Sequence, residues 1–139
     1  MGAWAFTNNA KMRRSKGNWN IDSATLKCGL ALSTSNLGAA STTYAGVTNE
    51  HANANGYTTG GVSVDLAFSG TTTINVTFVS NPTFSASGGS IVARKAFVYE
   101  VGGDVLAYKD LDTVDVTTPT GNALTLDNDG SPDNFSTET

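Results

Sequence analysis

The chain has 139 residues and a mass of 14.3 kDa, which is the size of a single domain. A net charge of −4 and a pI near 4.6 argue against a nucleic-acid-binding protein, which usually carries a basic excess. The single cysteine excludes a disulfide framework, and the apolar runs fall short of the ~20 residues that cross a bilayer. We therefore expect one domain over residues 1–139, without a membrane or direct nucleic-acid partner.

The first predicted element is a short helix over residues 4–15. Thr7 or Asn8 can cap it, because their side-chain oxygens accept hydrogen bonds from the free amides of a first turn. Gly17 is a natural stop. The positive charges follow a broken apolar run rather than preceding a continuous one. This order predicts a protein made in the cytoplasm without a cleaved export signal.

Residues 1–18 are also predicted to be a docking segment. Half of the basic residues of the chain lie here, while the remainder is acidic. Apolar anchors beside positive charges suit an acidic or phosphate-bearing neighbour. The candidate partner-binding residues are Trp4, Phe6, Lys11, Arg13, Arg14 and Lys16. In the alternative interpretation the two rings pack in the domain's own core and the charges form a solvated helix face.

The clearest strand pattern follows at residues 23–35. Leu26, Cys28, Leu30 and Leu32 alternate with smaller or polar residues, which places them on one buried face. The next stretch, residues 33–57, is polar and has no strong period. It is expected to contain a helical turn at residues 48–52 and a tight Asn- and Gly-based turn at residues 53–57.

Six further runs are predicted strands because they alternate at period two or read as apolar on both faces. They cover residues 62–68, 71–79, 91–101, 105–110, 113–118 and 122–127. The last two are expected to pair as a hairpin, and residues 128–139 form a polar tail. About seven strands at hairpin spacing predict a mainly β fold, an antiparallel sandwich or small barrel with one short N-terminal helix.

The sequence contains no recognisable set of a catalytic nucleophile and its base. His51 is the one histidine, and Cys28 falls on an apolar strand face, where a thiol is normally inert. We therefore expect no enzyme, no catalytic residue and no cofactor. The acidic tail from Asp127 to Asp133 offers oxygen ligands for calcium, but it lacks the EF-hand spacing. A solvated tail is the favoured interpretation, no metal site is predicted, and cation binding there stays open.

Four segments of this chain resemble a family of small structural proteins of tailed phages. They are residues 3–11, 23–35, 56–62 and 90–99, and they include a Thr-Asn-x-Ala-Lys helix, a Gly-Tyr-Thr-x-Gly-Gly turn and an Ile-x-Ala-Arg strand. These motifs mark structure rather than chemistry. The basic run at residues 11–16 departs from the usual pattern of the family, so the resemblance assigns no site there.

The resemblance implies a non-enzymatic virion protein. The favoured role is a capsid decoration (cement) protein that bridges and stabilises major capsid protein subunits. A neck, tail or fibre component is the alternative. The expected location is the virion, and the expected partners are the major capsid protein or other virion subunits. Copies of the chain are expected to form a homo-oligomer, with a trimer as the assumed order.

A carbohydrate-binding β-sandwich on a host-recognition fibre is the alternative of another class. Such a protein needs exposed aromatic rings beside polar side chains at one end of the sandwich. Candidate residues are Trp19, Tyr44, Tyr57, His51 and Asn53. Trp19 can equally well cover the core.

Overall fold

The computed structural model describes residues 3–72 and 74–127, together with the backbone of residues 136–138. The predicted fold class is confirmed: the described chain is mainly antiparallel β-structure with one short α-helix. Its elements are β1 (Ala5–Phe6), α1 (Asn8–Ser15), β2 (Leu26–Ala31), a 3-10 turn (Tyr44–Gly46), β3 (Val62–Val64), β4 (Leu66–Ser69), β5 (Ile74–Phe78), β6 (Thr83–Ser85), β7 (Ile91–Ala93), β8 (Lys95–Glu100), β9 (Val105–Asp110), β10 (Val116–Thr118), β11 (Ala123–Thr125) and β12 (Ser136–Glu138). The tail prediction and the candidate calcium ligands beyond Asp127 lie outside the residues whose side chains are described.

A five-stranded antiparallel sheet forms the centre of the molecule, in the order β1-β9-β8-β2-β3. Its middle strand β8 is buried on both faces. Ala96 and Val98 face one hydrophobic cluster, while Phe97 and Tyr99 face another. This explains why the sequence around β8 is apolar on both sides rather than alternating.

Three smaller antiparallel sheets, β10-β7, β11-β6 and β12-β5-β4, provide the rest of the main core. They contribute Val76, Phe84, Ile91 and Leu124 to the cluster that contains Cys28. Burial of apolar side chains, of which these are a part, is the dominant favourable term in folding. Among the described residues, no helix is long and apolar enough to cross a membrane.

Two predicted strands are each divided in the structure. The run at residues 62–68 becomes β3 and β4, which belong to different sheets and meet at Asp65. The run at residues 91–101 divides at Arg94 into β7, which pairs with β10, and β8, which pairs with β2 and β9. In both places apolar residues continue on either side of one charged residue, while the hydrogen-bonding partner changes. Alternation reports which face is buried and not which strand is the neighbour, so the division was not predicted.

Other local predictions were wrong. The strands at residues 113–118 and 122–127 do not form a hairpin with each other, because β10 pairs with β7 and β11 pairs with β6. Residues 48–52 form no helical turn. Instead, the backbone around Glu50 forms a β-bridge with Ala31, and the His51 amide donates to the Leu30 carbonyl.

The predicted N-terminal helix is shorter than expected. The helix begins at Asn8, and residues 5 and 6 form β1, which pairs with β9. The Thr7 hydroxyl caps the helix by accepting from the Ala10 amide, as the sequence predicts. Leu32 lies beyond the end of β2 and is exposed, so the buried face of this strand ends at Leu30.

A comparison of two glycines tests the packing of the loop that enters β3. Gly61 and Gly17 both have positive φ, at +77° and +69°. A Cβ at Gly61 would lie 1.8 Å from the Cys28 carbonyl oxygen, whereas a Cβ at Gly17 would meet nothing within 4 Å. Both variants to alanine carry the left-handed backbone cost of roughly 1–2 kcal/mol. We therefore expect Gly61→Ala to lose clearly more stability than Gly17→Ala in denaturant titrations, and equal losses would contradict this packing.

Candidate functional site

The basic residues of the N-terminal segment have different environments. The Arg13 guanidinium forms an ion pair with Asp104 at 3.0 Å and lies 4.5 Å from the centre of the Trp19 ring. The Arg14 guanidinium lies 4.2 Å from the centre of the Phe6 ring. Lys11 and Lys16 are exposed. The two lysines therefore remain available to a neighbour, while both arginines pack on the chain's own aromatic rings.

The structure favours the alternative interpretation for the two proposed aromatic anchors. Trp4 and Phe6 are only 6% and 5% exposed, and both belong to the main core. The Trp4 ring packs edge-on against Phe78 at 5.6 Å between centroids, and its indole N–H donates to the Asp127 carbonyl. Their position in and next to β1 explains this burial, because β1 completes the central sheet. The docking prediction now depends on the charged residues alone.

A groove lies beside the basic helix. Its volume is about 440 Å³, and its lining residues are Arg14, Trp19, Asn20, Ile21, Asp22 and Phe68. Phe68 is opposite Val76 in the β4–β5 pair, so it points to the core side of this hairpin. It nevertheless remains 38% exposed, whereas Val76 is buried. The groove therefore presents an apolar wall beside positive charge.

A polar cluster that the sequence analysis missed lies in the loop between β2 and β3. One Glu50 carboxylate oxygen accepts from the Tyr57 hydroxyl and from the Gly60 amide, both at 2.6 Å. The other oxygen accepts from the Tyr44 hydroxyl at 2.7 Å. The Tyr99 hydroxyl, from the central strand β8, donates to the Gly60 carbonyl at 2.7 Å.

The same cluster is packed as well as hydrogen-bonded. The rings of Tyr44 and Tyr99 stack at 4.0 Å with 11° between their planes. The Tyr57 hydroxyl also accepts from the Leu30 amide in β2. Burial, followed by the bond to Glu50, raises the pKa of Tyr57 and of Tyr44. Burial, followed by the nearby Glu50 charge, raises the pKa of Tyr99. The hydroxyls therefore stay protonated as donors.

The hydrogen bonds of Glu50 hold three separate parts of the loop together. Three of the roughly four lone-pair sites of the Glu50 carboxylate accept hydrogen bonds from this loop itself. The available sequence signal was a pair of tyrosines and a Gly-Gly step in an otherwise polar loop. Nothing in that pattern indicated that they converge on one carboxylate.

Cys28 and His51, the two residues considered for nucleophilic catalysis, are both buried. Cys28 is fully buried in the main core, as its strand pattern predicts, and burial raises the pKa of its thiol well above the ordinary value. A raised thiol pKa disfavours the reactive thiolate. His51 is buried as well, with its Nδ1 atom 2.7 Å from the Ala52 carbonyl oxygen and its ring 5.0 Å from that of Tyr57.

The aromatic residues proposed for sugar binding do not form an exposed platform. Trp19 is almost completely buried, covered by Arg13, and donates its indole N–H to Glu100. Tyr57 is buried, and Tyr44 is stacked on Tyr99. Within the part of the chain that is described, no group of three or more His, Cys, Asp or Glu side chains could hold a metal ion.

The burial of Trp4 leads to a direct test of its role. Replacement by alanine removes a large core side chain, so we expect Trp4→Ala to lower the free energy of unfolding by about 3–5 kcal/mol. Replacement of Lys11 and Lys16 by serine should change it by less than about 0.5 kcal/mol each, because both side chains are exposed. Thermal and denaturant unfolding of the isolated chain measure both effects. Wild-type stability in Trp4→Ala would show that the ring is not part of the core.

Comparison with known proteins identifies no relative: no family model, no curated protein and no solved structure matches the chain. Inference about function therefore depends on the chemistry of the described surface, where two exposed lysines lie on or next to the helix that carries a groove-lining arginine.

Proposed function

We propose that the chain is a non-enzymatic structural protein of a virion, a capsid decoration (cement) protein that bridges and stabilises major capsid protein subunits. The observation that carries the proposal is the exposed positive charge of α1, which lies on a rigid β-rich body. Lys11 and Lys16 are exposed there, and the helix is fixed to the sheet because Arg13 and Asn9 both bond to Asp104. A fixed charged surface suits the binding of another protein.

The polar chemistry of the described residues supports the same proposal. Glu50, the carboxylate with the densest set of bonds, is used to hold a loop. The surface carries few charges, and several of them are already paired, as in Arg94 with Asp115 and Lys95 with Asp110. The resemblance of four segments to small tailed-phage structural proteins directs the proposal to a capsid. A neck, tail or fibre position remains the alternative within the same class.

One observation favours carbohydrate binding as a second candidate. A polar cleft of about 420 Å³ lies beside Trp19 and is lined by Arg13, Asn18, Asn20, Ser23, Thr25 and Glu100 together with apolar residues. Polar side chains that converge on a cleft can orient a sugar. The Trp19 ring itself is covered, so the stacking surface typical of sugar sites is small. Binding of the chain to a host polysaccharide would favour this candidate.

The capsid proposal is tested by binding to isolated capsids of the encoding virus that lack this chain. We expect the chain to sediment with them, in a copy number comparable to that of the major capsid protein, and to raise their resistance to heat. Lys11→Glu should weaken binding and make it more salt-sensitive, because an exposed charge mainly steers association. Lys27→Glu, on strand β2, is the control with the same charge change and should bind like the wild type.

Two results would contradict this assignment. A copy number far below that of the major capsid protein would move the chain to the neck, tail or fibre. Failure of the folded wild-type chain to bind capsids, necks or tails would overturn the virion role as a whole.

A further inference from the structure

A basic surface and an acidic surface lie at opposite ends of strand β9. Helix α1 packs near its start, where the Thr7 amide donates to the Leu106 carbonyl and Arg13 pairs with Asp104. The loop that follows Asp110 leaves from its other end. Six residues at about 3.3 Å each separate the two ends by roughly 20 Å. Surfaces at these two ends of one molecule therefore cannot contact each other.

The first surface is the groove beside α1. Phe68 forms an incompletely covered apolar wall, with the largely buried Trp19 and Ile21 behind it. Arg14 lines the groove, and Lys11 and Lys16 lie on or next to the same helix. Asp22 also lines the groove and balances Arg14, so the excess positive charge of this surface comes from the exposed Lys11 and Lys16 on and next to α1. An apolar side chain flanked by a negative charge is the complementary ligand for such a surface.

The second surface is the acidic loop, residues 112–115, between β9 and β10. Val114 is 62% exposed, more than any other large apolar side chain that the structure describes. It lies between two exposed acids, Asp112 and Asp115. Asp115 is paired with Arg94. Among the residues that the structure describes, Asp112 accepts hydrogen bonds only from its neighbour Thr113. The acidic loop thus presents an apolar tip with a negative charge next to it.

We propose that a second copy of the chain is the occupant of the groove, with its acidic loop docked so that Val114 contacts Phe68 and Asp112 faces the exposed positive charge on and next to α1. The contact is head-to-tail, because groove and loop lie at opposite ends of each copy. Head-to-tail contacts form a closed ring when the rotation between copies closes, and an open chain when it does not. This self-association needs no capsid, so it can fail or succeed independently of the proposed function.

The test uses two variants that each disable one surface. Phe68→Asp alters the groove, and Val114→Arg alters the acidic loop. We expect the wild-type chain to increase in mass with concentration in sedimentation velocity, and each variant alone to stay monomeric. An equimolar mixture of the two should form a 1:1 complex and nothing larger, because each variant retains the surface that the other lacks. The loss of affinity in either variant should be about tenfold or more.

Controls separate association from folding. Val79→Arg changes an equally exposed valine outside both surfaces and should associate like the wild type. If Phe68→Asp unfolds, Asn20→Glu provides a milder change, because Asn20 is an exposed residue that lines the same groove. A wild-type chain that stays monomeric at all concentrations would overturn the proposal. So would wild-type association of folded Val114→Arg, or a mixture of folded variants that forms no complex.

Discussion

The loop between β2 and β3 depends on the carboxylate of Glu50. This loop is the longest connection between regular strands in the described chain, and it has only a 3-10 turn of its own. Glu50 joins Tyr44, Tyr57 and the Gly60 backbone, and the Tyr57 hydroxyl and Tyr99 connect the same cluster to strands β2 and β8. Fixing a loop of this length in one conformation costs conformational entropy. Here one charged group with three charge-assisted hydrogen bonds offsets part of that cost and ties the end of the loop to β2 and β8.

The sequence was informative where burial and local capping decide the structure. The alternation of Leu26, Cys28 and Leu30 predicts the buried face of β2, and Thr7 predicts the start of α1. The sequence was not informative where the structure depends on partners that are distant along the chain. Arg94 divides an apolar run because β7 pairs with β10 and β8 with β2, and no local pattern carries that information. The cluster at Glu50 was missed for the same reason, since its donors come from three parts of a polar loop.

The N-terminal segment shows how an aromatic and basic composition can serve the fold. Trp4 and Phe6 complete the core, and cations cover the rings: Lys109 lies over Trp4, Arg14 over Phe6 and Arg13 over Trp19. Arginine and lysine stems can bury apolar surface while their heads keep their charge. The charge that remains exposed, chiefly on Lys11 and Lys16, is what the proposed contact with a capsid uses. Positive charge at α1 and negative charge at the acidic loop lie at opposite ends of the molecule. The proposed head-to-tail contact between copies would suit a repeating lattice.

Native-state hydrogen exchange of Glu50→Ala tests the role of this carboxylate most directly. The account predicts that the Gly60 amide and the amides around Tyr44 and Tyr57 lose protection in the variant, while those of β8 and β9 remain slow. Loss of a charged acceptor for three donors should also lower the free energy of unfolding by about 2–4 kcal/mol. Asp65→Ala, which removes an exposed carboxylate between β3 and β4 and outside this cluster, is the matched control. Unchanged protection at Gly60 in Glu50→Ala would contradict the account.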